Sequence, residues 1–310
     1  MNPPYHLKAR LQMKGDSNTF GTANDEEESV AKQLLIKGGL ASVTFRHLSP
    51  ERIVSLVSEG GLSAIEWGGD VHVPHGDLET ARDVGRRTRN AGLEVASYGS
   101  YYNAGQNEEA ELTFTSVLET ALALEAPLIR VWAGSRSPKD ADAHYREMVA
   151  EDTRRISEQA SEADIRIAYE YHSNSLTETP ESAIALLASV AHGNASVYWQ
   201  VPFNASSEQR VESLQKVLPY LTNVHVFHWI SIDGEGQRRP LVEGEVDWIR
   251  DLRVIGNSRR PHYALIEFVQ EDDPACFLRD AAVLREWLVR VSGQECEREM
   301  PNQSDAGDGR

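Results

Sequence analysis

The chain has 310 residues, of which 40% are hydrophobic and 25% charged, a globular balance that excludes wholesale disorder and suits one large barrel or two smaller domains. Its 31 Lys and Arg stand against 48 Asp and Glu, and the resulting formal charge of −17 weighs against nucleic acid as a partner. With two cysteines, Cys276 and Cys296, no secretory-type apolar segment behind a basic start and no apolar run of about 18 residues, the expectation is a cytoplasmic protein without a membrane span.

Residues 1–36 are polar and carry the acidic run "NDEEES", so they read as an N-terminal extension, helical at most near Val30 to Leu35. From residue 37 to 290 a single rhythm repeats: a short apolar run, a loop, and an amphipathic segment opened by a capping residue. The strands are expected at Leu40 to Phe45, Ala64 to Trp67, Glu94 to Tyr98, Leu128 to Trp132, Arg166 to Glu170, Ser196 to Val201, Val224 to Trp229 and Tyr263 to Phe268. Ser49-Pro50, Thr179-Pro180 and Asp273-Pro274 each place a cap before a first-turn proline, and Asp77 caps without one. Strand followed by helix eight times predicts an α/β fold, a single-domain (β/α)₈ TIM barrel; an open doubly wound sheet would show a glycine-rich turn where "SVTFRHLSP" has none. Residues 291–310 read as a polar tail.

In such a barrel the chemistry sits at the C-terminal strand ends. Those ends carry Glu66 and Trp67, Tyr98, Arg130 and Trp132, Glu170 and His172, Gln200, His225 and His228, and Glu267. Period-two alternation turns Glu170 with His172, His225 with Phe227, and Leu265 with Glu267 to shared faces, and leaves His228 out of step with His225. Two carboxylates, an amide and a histidine at one mouth suit a divalent cation, Mn²⁺, Mg²⁺ or Co²⁺, with Zn²⁺ also accommodated. The competing reading is a metal-free network in which the acids pair with Arg130 or Arg46. Glu66, Trp67, His72, Tyr98, Arg130, Trp132, His172, His228 and Arg239 are the candidate substrate contacts. For the tryptophans the alternative is barrel packing, for His72 a turn-stabilising surface role, and for Arg239 a solvated loop.

The segments "SAIEWGGDVHVPHGD", "VASYGSYYNAG", "LIRVWAG", "IAYEYHSNSLTET", "YWQVP", "VHVFHW" and "LIEF" together resemble the xylose isomerase-like barrel superfamily over roughly residues 37–290. The resemblance implies metal ligands at Glu170, at the sixth-strand position Gln200, at His225 with His228 in reserve, and at Glu267. At position 200 that superfamily commonly has Asp, so Gln200 removes one negative charge from the set. It further implies catalysis by Glu170 and Glu267, which move a proton beside a carbonyl through a metal-stabilised enediolate. The expected function is a metal-dependent isomerase or epimerase of a sugar, sugar phosphate or cyclitol. A dehydratase of the inositol-catabolism type is the alternative within enzymes, and a catalytically silent sugar-binding barrel the alternative outside them. A phosphodiester nuclease ranks last, since no multi-zinc His/Asp set is present. Dimers are common among such barrels, so a homodimer is the expected assembly.

Overall fold

The computed structural model describes residues 35–105, 112–202 and 205–298, with side chains to residue 292. Eight parallel strands close on themselves: β1 Ile36–Ala41, β2 Ala64–Gly68, β3 Glu94–Asn103, β4 Leu128–Trp132, β5 Arg166–Glu170, β6 Ala195–Trp199, β7 Leu221–Val226 and, after a two-stranded hairpin, β10 His262–Ile266. The hairpin strands are β8 Trp229–Ile232 and β9 Glu235–Arg238, paired antiparallel. Closure comes where β1 pairs with both β2 and β10. Among the described residues eight α-helices alternate with these strands: α1 Pro50–Glu59, α2 Leu78–Asn90, α3 Phe114–Leu124, α4 Ala143–Glu162, α5 Pro180–Val190, α6 Ser207–Val217, α7 Glu245–Gly256 and α8 Pro274–Arg298. The fold is therefore the (β/α)₈ barrel that the alternation predicts.

The helix starts follow from their caps. The side chains of Ser49, Asp77 and Thr179 each accept a hydrogen bond from the backbone N–H three residues on, and Asp273 accepts from Ala275 N at 2.8 Å. Several strand boundaries differ from expectation, among them β6, which ends at Trp199 rather than Val201. β1 begins at Ile36 and ends at Ala41, while Ser42–Phe45, expected in the strand, is a 3₁₀ turn. The reason is "IKGGLA", whose glycines hide a strand: a Cβ on Gly39 would collide with both the Ala64 carbonyl oxygen and Leu265 Cδ2, so glycine is what lets β1 close the barrel. β3 continues to Asn103, β7 stops at Val226, and β10 stops at Ile266, where Phe268 turns into the left-handed region at φ 56°. α8 runs on to Arg298, past residue 290. The helical stretch expected near Val30 to Leu35 lies outside the described residues except for Leu35.

The core has two parts. Ala64, Ala96, Leu128, Ala168, Tyr198 and Leu265 fill the barrel interior, and a much larger layer of aliphatic and aromatic side chains lies between strands and helices. Burying that second layer is the main stabilising term, at about 25 cal/mol per Å² of apolar surface. No described helix is long and apolar enough to cross a membrane.

Candidate metal and proton-transfer centre

The inward-facing layer above Ala168, Tyr198 and Leu265 is charged. Moving two residues along each strand from the apolar layer brings Glu66 on β2, Arg130 on β4, Glu170 on β5 and Glu267 just after β10 to the same level; His225 on β7, paired in register with Leu265, faces them. All five are buried, His225 completely. Charges so far from water persist only when paired, hydrogen-bonded or bound to an ion.

Most of the partners are visible. Arg130 donates through Nε to Glu66 Oε1 at 3.0 Å and through Nη1 to Glu170 Oε2. Glu170 Oε2 also accepts from Trp132 Nε1 at 2.5 Å. Glu66 Oε2 takes the Ser97 hydroxyl at 2.7 Å, and Glu66 Oε1 lies 3.3 Å from His225 Nε2. Gly99 makes room for this pairing, because a Cβ there would lie 2.7 Å from Arg130 Nη2 and 3.1 Å from Glu66 Oε1. The Tyr101 ring covers the guanidinium, its centroid 5.4 Å from Arg130 Cζ. The Tyr198 ring packs on His225 at 4.6 Å.

One atom is left over. His225 Nδ1 is buried and has no hydrogen-bond partner among the described residues, yet it faces Glu170 Oε1 at 3.5 Å and Glu267 Oε2 at 3.4 Å. Ligand atoms of Glu170, His225 and Glu267 all lie within 4.8 Å of one another. A lone nitrogen aimed at two carboxylate oxygens is a donor set that fits a small divalent cation.

The electrostatics agree with that fit. Burial alone would lower the His225 pKa, but Glu267, Glu66 and Glu170 overcome it and draw it up to about 10, so in the absence of an ion the cluster pulls a proton onto its histidine. Burial would raise Glu66, but Arg130 and His225 hold it far below the usual carboxylate range. Burial would likewise raise Glu170, but Arg130, followed by His225, outweighs it and lowers the carboxyl. Glu267, which lacks an arginine contact of that kind, is raised by burial and by repulsion from Glu170. The two carboxylates flanking His225 are thus pushed in opposite directions.

The remaining expected residues divide into two groups. Trp132 and His172 are at the mouth, ring centroids 5.1 Å apart. Gln200 follows β6 on the inward parity, but its amide nitrogen donates to the Tyr171 carbonyl. The others point elsewhere. Trp67 is turned toward α2, donating to Thr88 Oγ1 at 3.1 Å. His72 is held between Ser42 Oγ and the Leu48 carbonyl, and the Tyr98 hydroxyl bonds the Val73 carbonyl and His75. His228 packs beside Gly244 and Trp248, and Arg239 pairs with Glu243 at 2.9 Å. Glu66 has both oxygens engaged inside the network rather than open to the mouth. Sequence reasoning passed over Ser97, Gly99 and Tyr198; Tyr198 shares the parity of Gln200, whereas Ser97 and Gly99 are out of step with inward-facing Ala96 and reach the site through the register shift between Ile65 and Glu66, which local alternation does not signal.

A cavity of about 530 Å³, lined in part by Lys37, Leu62, Arg285 and Leu288, opens at the N-terminal ends of β1 and β2. In barrels that end carries stability rather than catalysis. Another of about 190 Å³, with Thr44, Arg46, Arg238 and Phe268 among its lining residues, lies among the segments that follow β1 and β10 at the C-terminal side of the barrel.

A closed (β/α)₈ barrel with a buried carboxylate and imidazole centre at its C-terminal mouth defines the class of the molecule. The model of the xylose isomerase-like TIM barrel family matches residues 54–287, and the chain belongs to that family. A 3-dehydroshikimate dehydratase of Bacillus anthracis is 24% identical over 263 residues, covering 75% of this chain and 91% of the relative. The crystal structure of a probable 3-DHS dehydratase from the same organism superposes with a TM-score of 0.69 at 22% identity, covering 80% of this chain and 98% of that one. The structure of an L-ribulose 3-epimerase superposes with a TM-score of 0.65 at 13% identity, covering 87% and 99%.

Proposed function

We propose that the protein is a divalent-metal-dependent isomerase or epimerase that removes a proton beside the carbonyl of a polyhydroxylated, carbohydrate-like substrate, acting in the cytoplasm. The observation that carries this reading is the Glu170, His225 and Glu267 cluster with its unpartnered Nδ1. These three side chains would hold the ion, with Gln200 able to join if its amide leaves the Tyr171 carbonyl. The bound ion would act as a Lewis acid toward the substrate carbonyl, making the neighbouring C–H more acidic.

The protein's own groups then have separable tasks. Glu267, whose proton affinity is raised by burial and by repulsion from Glu170, is the group suited to taking up the substrate proton. Glu170 is held as a carboxylate by Arg130 and Trp132, so in this reading it first takes up a proton from solvent and then delivers it to the other face or the adjacent carbon. Trp132 and His172 offer flat surfaces at the mouth for the substrate ring. The cavity beside Phe268 accommodates the part of the substrate remote from the carbonyl.

A second reading, a metal-dependent dehydratase, is favoured by a specific feature. Both hydrogen bonds on Glu170 Oε2 lower its readiness to carry a proton, so chemistry that needs one base is easier here than chemistry that needs two. Elimination of a β-hydroxyl after a single proton abstraction meets that condition, and the Bacillus anthracis relative is named for such a reaction.

The test is solvent-deuterium incorporation, followed by NMR, across a panel of ketoses and cyclic hydroxyketones with Mn²⁺. Exchange at the carbon next to the carbonyl, lost in Glu267→Gln, is expected. Product that keeps all its oxygens supports isomerisation, whereas release of water with a new conjugated double bond supports dehydration. No exchange with any member of the panel by a Mn²⁺-loaded protein would count against both.

A further inference from the structure

Binding of an ion accounts for Glu170, His225 and Glu267, and Arg130 holds Glu170, but Glu66 and the second arm of Arg130 are left without a task, although both side chains are only 2% exposed. We infer that Glu66 is a positioning residue that sets the tautomer of His225, and that Arg130 is the fixed cation that holds Glu66 and Glu170 in place. This inference rests on the proposed metal site and specifies how it is built.

The geometry is directional. Glu66 Oε1 faces His225 Nε2 at 3.3 Å, on the ring edge remote from Glu170 and Glu267, while Nδ1 faces those two carboxylates. A carboxylate is an acceptor only, so the neutral ring places its proton on Nε2 and leaves the Nδ1 lone pair for an ion. Carboxylates behind ligating histidines commonly do this, and they also make the ligand more basic. Glu66 could not hold that orientation alone. Its other contacts, Arg130 Nε at 3.0 Å and Ser97 Oγ at 2.7 Å, fix the plane of the carboxylate. Arg130 spans Glu66 and Glu170, so a single guanidinium places one carboxylate behind the histidine and one in front of it.

The charges gathered by this arrangement suit a divalent ion. Three buried carboxylates, Glu66, Glu170 and Glu267, against the one guanidinium of Arg130 leave two negative charges when His225 is neutral. A single divalent cation brings the buried centre to neutrality, which a monovalent or trivalent ion would not. Arg130 thus adapts a site lacking the sixth-strand acid to a dication.

The test is Co²⁺ binding by the full chain, measured by competition with a chromophoric chelator, in wild type, Glu66→Gln and Ser97→Ala. The amide of the Glu66→Gln variant keeps the volume and an acceptor but loses the charge, so this substitution should weaken Co²⁺ about 10–100-fold, with a smaller effect in Ser97→Ala. In parallel, ¹⁵N NMR of Zn²⁺-loaded, histidine-labelled wild type should show His225 bound through Nδ1 and protonated on Nε2. That measurement stands even if Glu66→Gln fails to fold. Wild type that takes up no Co²⁺ overturns the metal reading and this inference together. Tight Co²⁺ binding by wild type with unchanged affinity in a folded Glu66→Gln protein, or ligation through Nε2, overturns this inference alone.

Discussion

Replacing Arg130 with Met removes a cation that faces Glu66 and Glu170 from a position only 2% exposed, while keeping most of the side-chain volume. Breaking a buried ion pair from one side costs about 3–5 kcal/mol, because the abandoned charge remains in a poor solvent. Arg130 serves two carboxylates, so the upper end of that range is expected, and at roughly 2–4 °C per kcal/mol for a domain of this size the loss in Tm would be about 10–20 °C. The effect has a signature in pH. Both carboxylates sit below their ordinary value in the folded wild type, so their contribution is present above about 4.5 and is lost as pH falls through the lowered folded values. Without Arg130 that contribution vanishes, and the difference between wild type and variant should be largest near neutrality and shrink toward about pH 3. Urea unfolding of the chelator-treated proteins across that range measures it. A difference under about 1 kcal/mol at pH 7, or one that does not change with pH, would refute the idea that Arg130 is the counter-ion of a charged buried centre.

Glu170→Gln and Glu267→Gln should each abolish turnover while circular dichroism stays near wild type, with a lowered unfolding midpoint in Glu170→Gln, which leaves Arg130 one buried carboxylate short; substantial activity in either would remove that residue from the proton path. Scanning calorimetry of chelator-stripped protein should show a rise in Tm on adding Mn²⁺, since an ion at about 100 times its Kd stabilises by about 2.7 kcal/mol, and the rise should disappear in His225→Leu. Asp280 accepts the Leu241 N–H at 2.9 Å but is pushed up to about 6 by burial, so the protonated folded form is favoured and the stability it brings is lost as pH rises from about 4 through 6. Asp280→Asn, which keeps the acceptor, should therefore stabilise the protein by about 1–2 kcal/mol at pH 8 and by nothing near pH 4, read from paired urea titrations. Gly39→Ala should destabilise by about 1–3 kcal/mol or more, because the new Cβ meets a backbone oxygen that cannot move aside; an unchanged unfolding midpoint would mean that β1 closes the barrel less tightly than its contacts indicate.

Much of the architecture was legible because strand and helix announce themselves locally. Ser49, Asp77, Thr179 and Asp273 cap the helices they precede, and alternation correctly turns Glu170, His225 and Glu267 to one face. The failures share a cause, which is dependence on what lies across the barrel. β1 was misplaced because Gly38 and Gly39 carry no hydrophobic signal, and the need for glycine at position 39 arises from Ala64 and Leu265. Trp67 and Trp132 look equivalent in sequence, yet one step of parity sends the first to a helix and the second to Glu170. Glu66 was legible as a strand-end acid, but its role depends on His225, 159 residues away, and on Arg130, 64 residues away. Arg130 also joins two readings posed as alternatives: the acids do pair with an arginine, and the pairing leaves a donor set open.

The most direct test of the buried metal centre is anomalous diffraction from crystals of the wild-type chain soaked in Mn²⁺. One strong peak per chain is expected, within coordination distance of Glu170 Oε1, His225 Nδ1 and Glu267 Oε2, with Glu66 still on Nε2 and Arg130 still bridging Glu66 and Glu170. A barrel mouth with no anomalous peak at saturating Mn²⁺, or a peak that avoids His225, would contradict it.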